Sequence, residues 1–185
     1  MSQTFKVSFT LDEDDTRYFR SLFRKARKAA GTLDEDEILR GAHELVREVR
    51  KARKVPQFVL EAMSTLEDLA QLVEDEDYKP PKNVRSQVLG ALAYFANPGD
   101  LIPDHIPVFG FLDDALMIKL VEQEFKHELW GYRKFRKFRE GAEQRPWTAI
   151  AGSRLPRRLA DQRKRIRTQV DIRKKRDAGK VGRLF

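Results

Sequence analysis

Between residues 34 and 139 apolar side chains return every three or four positions, in runs that stop at proline, glycine or acidic clusters. That period admits amphipathic helices and little else. Ile38, Ala42, Leu45, Val46 and Val49 form one stripe, opened by Thr32 or Asp34 with an acidic first turn and closed before Pro56. Val59, Met63, Leu66, Leu69, Ala70 and Val73 form the next, ended by the acidic run 74–77 and by Pro80-Pro81. Asn83 is placed to cap another, carrying Val84, Val88, Leu89, Leu92 and Phe95 as far as Asn97-Pro98-Gly99. After a loop to Leu112, a helix from Asp113 is expected to run through Trp130 to about Arg139, because Gly131 inside it costs only about 1 kcal/mol.

Both ends of the chain depart from this pattern. Residues 5–11 alternate apolar and polar, the signature of a half-buried strand, and are followed by a helix that starts in the acidic run 12–15, with Thr10 or Asp12 as cap, and stops at Gly31. Near the other end Pro146, Gly152 and Pro156 mark a linker. The helix expected beyond it, 157–177, has only Leu159, Ile166 and Val170 on its apolar line and is marginal by itself. The expected fold class is mostly α: a helical domain with one N-terminal β-strand and a basic C-terminal helical arm. Three units follow from the punctuation, a strand-helix-helix unit over 1–54, a helical core over 57–143, and a linker with the basic arm over 144–185.

Charge divides the chain as sharply as hydropathy does. Residues 1–130 hold 18 Lys+Arg against 24 Asp+Glu, net -6, and residues 131–185 hold 19 against 5, net +14, which together give the formal +8. A basic tail after an acidic body implies an anionic partner for the tail or its docking on the acidic part of the same chain. There is no cysteine, which excludes disulfides, thiolate metal sites and cysteine nucleophiles. No basic start with an apolar run and a small-residue cleavage site opens the chain, and the longest uncharged stretch in its most apolar part, 86–99, is shorter than the ~20 residues a bilayer span needs. A cytoplasmic protein, with peripheral membrane attachment as the variant, is the expectation.

One segment carries a long motif. Tyr94 precedes Pro98-Gly99-Asp100-Leu101-Ile102-Pro103-Asp104, followed by Ile106-Pro107, Gly110 and the pair Asp113-Asp114. Over roughly 84–121 the chain resembles the YkvA-like family, a bacterial domain of unknown function, and the resemblance implies no reaction and no ligand. Physically, the prolines and glycines make a stiff irregular loop. Asp100, Asp104, Asp113 and Asp114 suit caps and turns that pin the loop to the core, or, in the rival reading, a hard-cation site with His105 nearby. The 1–54 unit in turn resembles a ribbon-helix-helix DNA-binding module, with Lys6, Ser8 and Thr10 toward a groove, Val7 and Phe9 inward, and 31–42 like its second-helix entry. A lone strand leaves backbone groups unpaired, so pairing with its symmetry mate as a homodimer is the expected remedy.

Other constellations are weaker. Glu124 and His127 are spaced as a Glu-x-x-His pair, which di-iron bundles require twice and which occurs once here, and His43 stands alone. No nucleophile elbow, phosphate-binding glycine loop or dinucleotide fingerprint is present. In 132–139, Tyr132, Phe135 and Phe138 share one helical side among basic residues, as an apolar stripe flanked by solvated cations, or as rings for bases or lipid. The expectation is a binding or adaptor protein rather than an enzyme, without cofactor or metal. Its arm would hold nucleic acid or ribonucleoprotein through Arg157, Arg158, Arg163, Lys164, Arg165, Arg167, Arg173, Lys174, Lys175 and Arg176. An anionic membrane surface, or a metal-dependent enzyme built on the Asp-rich loop, is the alternative.

Overall fold

A computed structural model describes residues 10, 12–29, 34–96, 111–143 and 149–181 and places seven helices in them: α1 (Glu13–Ala29), α2 (Glu35–Lys51), α3 (Gln57–Glu74), α4 (Lys82–Ala96), α5 (Leu112–Glu124), α6 (Lys126–Glu143) and α7 (Ala149–Val181). Local chemistry explains the starts. Asp12 Oδ1 accepts the backbone N–H groups of Asp14 and Asp15, both at 2.8 Å, and so caps α1. At α2 Asp34 and Glu37 make a capping box, the Asp34 side chain accepting from the first turn while its own N–H donates to Glu37 Oε2 at 3.2 Å.

α3 is the central helix. It buries Val59, Ala62, Met63, Leu66, Leu69, Ala70, Leu72 and Val73, and even Thr65 and Asp68, so apolar contact surrounds nearly its whole circumference. α2, α4, α5 and α6 all pack on it, while α1 lies on α4 and α7 on α6. The ion pairs and close contacts set directions: α2 runs antiparallel to α3, α6 runs parallel to α3, and α7 returns antiparallel along α6. One hydrophobic cluster extends from Ile38 to Val170.

Two crossings depend on glycine. A Cβ on Gly41 would lie 2.5 Å from the Cα of Ala96, so α2 and α4 touch backbone to backbone. A Cβ on Gly131 would lie 2.7 Å from Val170 Cγ2 and 3.0 Å from the Tyr78 hydroxyl, so α7 approaches α6 closely at a position without a side chain.

The mixed fold class is corrected to an all-helical one over the described residues. No strand occurs among them, and Thr10, the single described residue of segment 5–11, is in none. Seven alternating residues with no second strand to share their hydrogen bonds are a weak strand signal. Lys6, Val7, Ser8 and Phe9 lie outside the described residues, and with them two of the three groove-facing positions of the ribbon-helix-helix likeness and most of the segment expected to pair in a dimer. Nor does the basic segment form a separate arm. Leu159 is 5% exposed and Ile166 and Val170 are fully buried, all in the common core. α7 also begins before the expected linker ends and contains Pro156, whose missing N–H leaves the carbonyl of Gly152 without its helical partner. The long helix expected from Asp113 to Arg139 breaks at Phe125 (φ −98°, ψ 14°) rather than continuing, which separates Glu124 from His127 on different helices.

Candidate polyanion-binding face

The apolar stripe of α6 is where its spacing put it: Tyr132 and Phe135 are buried and Phe138 is half-buried. Three of its flanking cations, Arg133, Arg136 and Arg139, have acidic partners. Arg133 Nε donates to Asp68 Oδ2 at 2.6 Å, and Arg136 NH1 donates to Asp68 Oδ1 at 2.6 Å and to Gln71 Oε1 at 3.1 Å. One turn on, Arg139 meets Asp75 at 2.8 Å and Asp77 at 3.4 Å. Asp68, Gln71 and Asp75 recur at helical spacing along α3 and its end, as Arg133, Arg136 and Arg139 do along the parallel α6, so one row reads the other. Asp75 is the hub: its Oδ1 also accepts the N–H groups of Asp77 and Tyr78, and its Oδ2 accepts the Tyr132 hydroxyl. Burial, with the Asp75 charge beside it, raises the Tyr132 phenol above its ordinary value, and burial pushes Tyr78 up to about 12. Gln71, residues 74–77, Tyr132 and Arg139 line an open recess of ≈ 530 Å³, in which Glu74 is already engaged by His43 at 3.0 Å.

α7 docks by the same chemistry. Glu128 on α6 is 1% exposed, and its carboxylate accepts from Arg167 at 2.8 Å and from Lys174 at 2.6 Å. Arg163 donates to the Asp77 carbonyl at 2.9 Å. Trp130 lies between Lys134, 4.9 Å from its ring centroid, and Arg173, 4.4 Å from it, while Arg158 covers Phe138 at 5.8 Å. Asp177 pairs with Lys126 at 3.1 Å and with His127 at 3.2 Å, and Arg176 lies 3.6 Å from it.

The ten cations expected to form one nucleic-acid site therefore divide. Arg158, Arg163, Arg167, Arg173, Lys174 and Arg176 are engaged with α6, with the turn after α3 or with Asp177. Arg157, Lys164, Arg165 and Lys175 are exposed and make no ion pair among the described residues. Arg154 joins them, equally exposed. Sequence reasoning missed it by starting the helix after Pro156, and the signal that finds it is the i, i+3 step to Arg157. At 3.6 residues per turn these five fall within a sector of roughly 100° and, from Arg154 to Lys175, along about 32 Å of axis. Thr168 lies in the same sector, Ile172 stands there 60% exposed, and Asp161 is its one carboxylate.

The Asp-rich loop is brought together only in part. Asp113 and Asp114 are buried in the first turn of α5, at the positive end of its dipole, and Phe111 holds the cap position in the left-handed region at φ 65°. Asp100, Asp104 and His105 lie outside the described residues. Among the described residues no group of three or more His, Asp or Glu is placed to hold a metal ion, and no helix is long and apolar enough to cross a membrane.

Residues 84–120, α4 through most of α5, match the family model "Protein of unknown function (DUF1232)", about a fifth of the chain. No curated protein and no solved structure matches. The motif segment thus resembles a domain of unknown function, and neither the YkvA-like name nor the ribbon-helix-helix likeness has support from these matches.

Proposed function

We propose that this is a binding protein without catalysis, acting in the cytoplasm, that holds nucleic acid, free or in a ribonucleoprotein, along the outward face of α7. The observation that carries the reading is the segregation of cations on that helix. Those facing α6 and the turn after α3 have partners, while Arg154, Arg157, Lys164, Arg165 and Lys175 face solvent together, with Asp161 among them and Asp171 at the edge of their sector. Exposed cations also occur on and just after α2, at Arg40, Arg47, Lys51, Arg53 and Lys54, but there Asp36, Glu37, Glu44 and Glu48 are interspersed and local fields cancel. Attachment to an anionic membrane is the weaker reading, because Leu159, Ile166 and Val170 are spent in the core and Ile172 alone is left for an acyl layer.

Removing α7 would strip the core, so point variants test the proposal. Replacing Arg154, Arg157, Lys164, Arg165 and Lys175 by Gln abolishes binding to labelled DNA and RNA. The same five-charge loss made at Arg40, Arg47, Lys51, Arg53 and Lys54 leaves most of it. Equal effects of the two variants would show that net charge, not the α7 face, accounts for any affinity.

A further inference from the structure

Nucleic acids differ in what they demand of a surface beyond positive charge. Single strands bind without sequence preference by stacking bases on accessible aromatic rings, which offsets the ordering of a flexible chain. A duplex presents a stiff row of phosphates and needs only a matching row of cations.

On α6 two rings are buried and two, Trp130 and Phe138, are half-buried with cations against them, and α7 has no aromatic ring among the described residues. Tyr132 and Phe135 are buried, at 2% and 0% exposure. Trp130 is flanked by Lys134 and Arg173, and Phe138 is covered by Arg158. The outward sector of α7 itself carries no ring among the described residues, only the five cations with Asp161, Thr168 and Ile172. That sector is also stiff. Ile166 and Val170 fix it from beneath, and Glu128 holds Arg167 and Lys174 to either side of Val170. A rod with cations along about 32 Å matches about nine base pairs of a straight helix at 3.4 Å per pair.

We infer that the nucleic acid held on α7 is a duplex, gripped by its phosphates, and not a stacked single strand. The inference rests on the function proposed above, and one experiment separates their failures. The full chain is titrated into a labelled mixed-sequence duplex of about 24 base pairs, and into either of its strands alone, over roughly 50–200 mM salt. The duplex is expected to bind at least about tenfold more tightly, because the single strand gains no stacking to offset its ordering. A single strand bound as tightly or more so overturns the duplex assignment and leaves the α7 face in place. Binding to neither overturns the assignment and the proposed function together.

Discussion

Glu128→Gln isolates what holds α7 to the body. The substitution keeps the shape and removes the charge of a carboxylate 1% exposed that serves Arg167 at 2.8 Å and Lys174 at 2.6 Å. Breaking a buried pair costs about 3–5 kcal/mol when the orphaned charge stays buried. Here Lys174 is 46% exposed and turns to water, and the amide oxygen still accepts one bond from Arg167, so the cost falls to about 2–3 kcal/mol. For a chain of this size each kcal/mol lowers Tm by about 2–4 °C, which makes the expected drop roughly 4–12 °C. Circular dichroism melts measure it. The matched control is Asp14→Asn, whose partner Arg17 is 70% exposed and whose loss is expected to leave Tm alone. A Tm for Glu128→Gln within about 1 °C of the parent would refute the claim that this carboxylate anchors α7.

Two helical glycines are expected to respond to Ala with opposite signs. Gly141→Ala, which meets nothing within 4 Å, stabilises by up to about 1 kcal/mol, while Gly41→Ala meets the Ala96 backbone at 2.5 Å and destabilises by about 1–3 kcal/mol, both read by urea denaturation. pH acts at the far end of α7. Burial holds His127 below its ordinary 6.5 against the pull of Asp177, with Lys126, Arg173 and Lys174 adding to the depression, so the folded state binds this proton less readily than the unfolded chain. The stability due to neutral His127 is complete above 6.5 and is lost as pH falls from there through its folded value, and His127→Gln flattens that part of the stability–pH curve. Asp177, held below its ordinary 3.8 chiefly by its hydrogen bond to Lys126, adds a second loss at lower pH, which Asp177→Asn removes.

Helix positions were legible where proline, glycine or a cap punctuates the chain. Asp34 with Glu37, Pro56 and Pro80-Pro81 mark ends that the structure keeps within a few residues. The break at Phe125 was not, because residues 121–128 contain no breaker and the turn is imposed by packing. α7 looked marginal because only Leu159, Ile166 and Val170 line it. What the sequence could not display is that Gly131 lets Val170 and Ile166 approach α6 closely, or that Glu128 waits buried for Arg167 and Lys174. The charge division was visible, and docking on the acidic part of the chain was one of its two stated outcomes. Asp68, a polar residue in the apolar register of α3, was the overlooked clue to where Arg133 and Arg136 go. The candidate face needed both facts at once, since only the engaged cations reveal which five remain.

The salt dependence of duplex affinity tests this division most directly. Each phosphate contact contributes about −0.9 to the slope of log K against log salt, so five cations without an ion pair among the described residues predict a slope no steeper than about −4.5, falling to near zero when Arg154, Arg157, Lys164, Arg165 and Lys175 are all Gln. A slope near −9, the value for ten contacts, or a slope unchanged in that variant, would contradict the account.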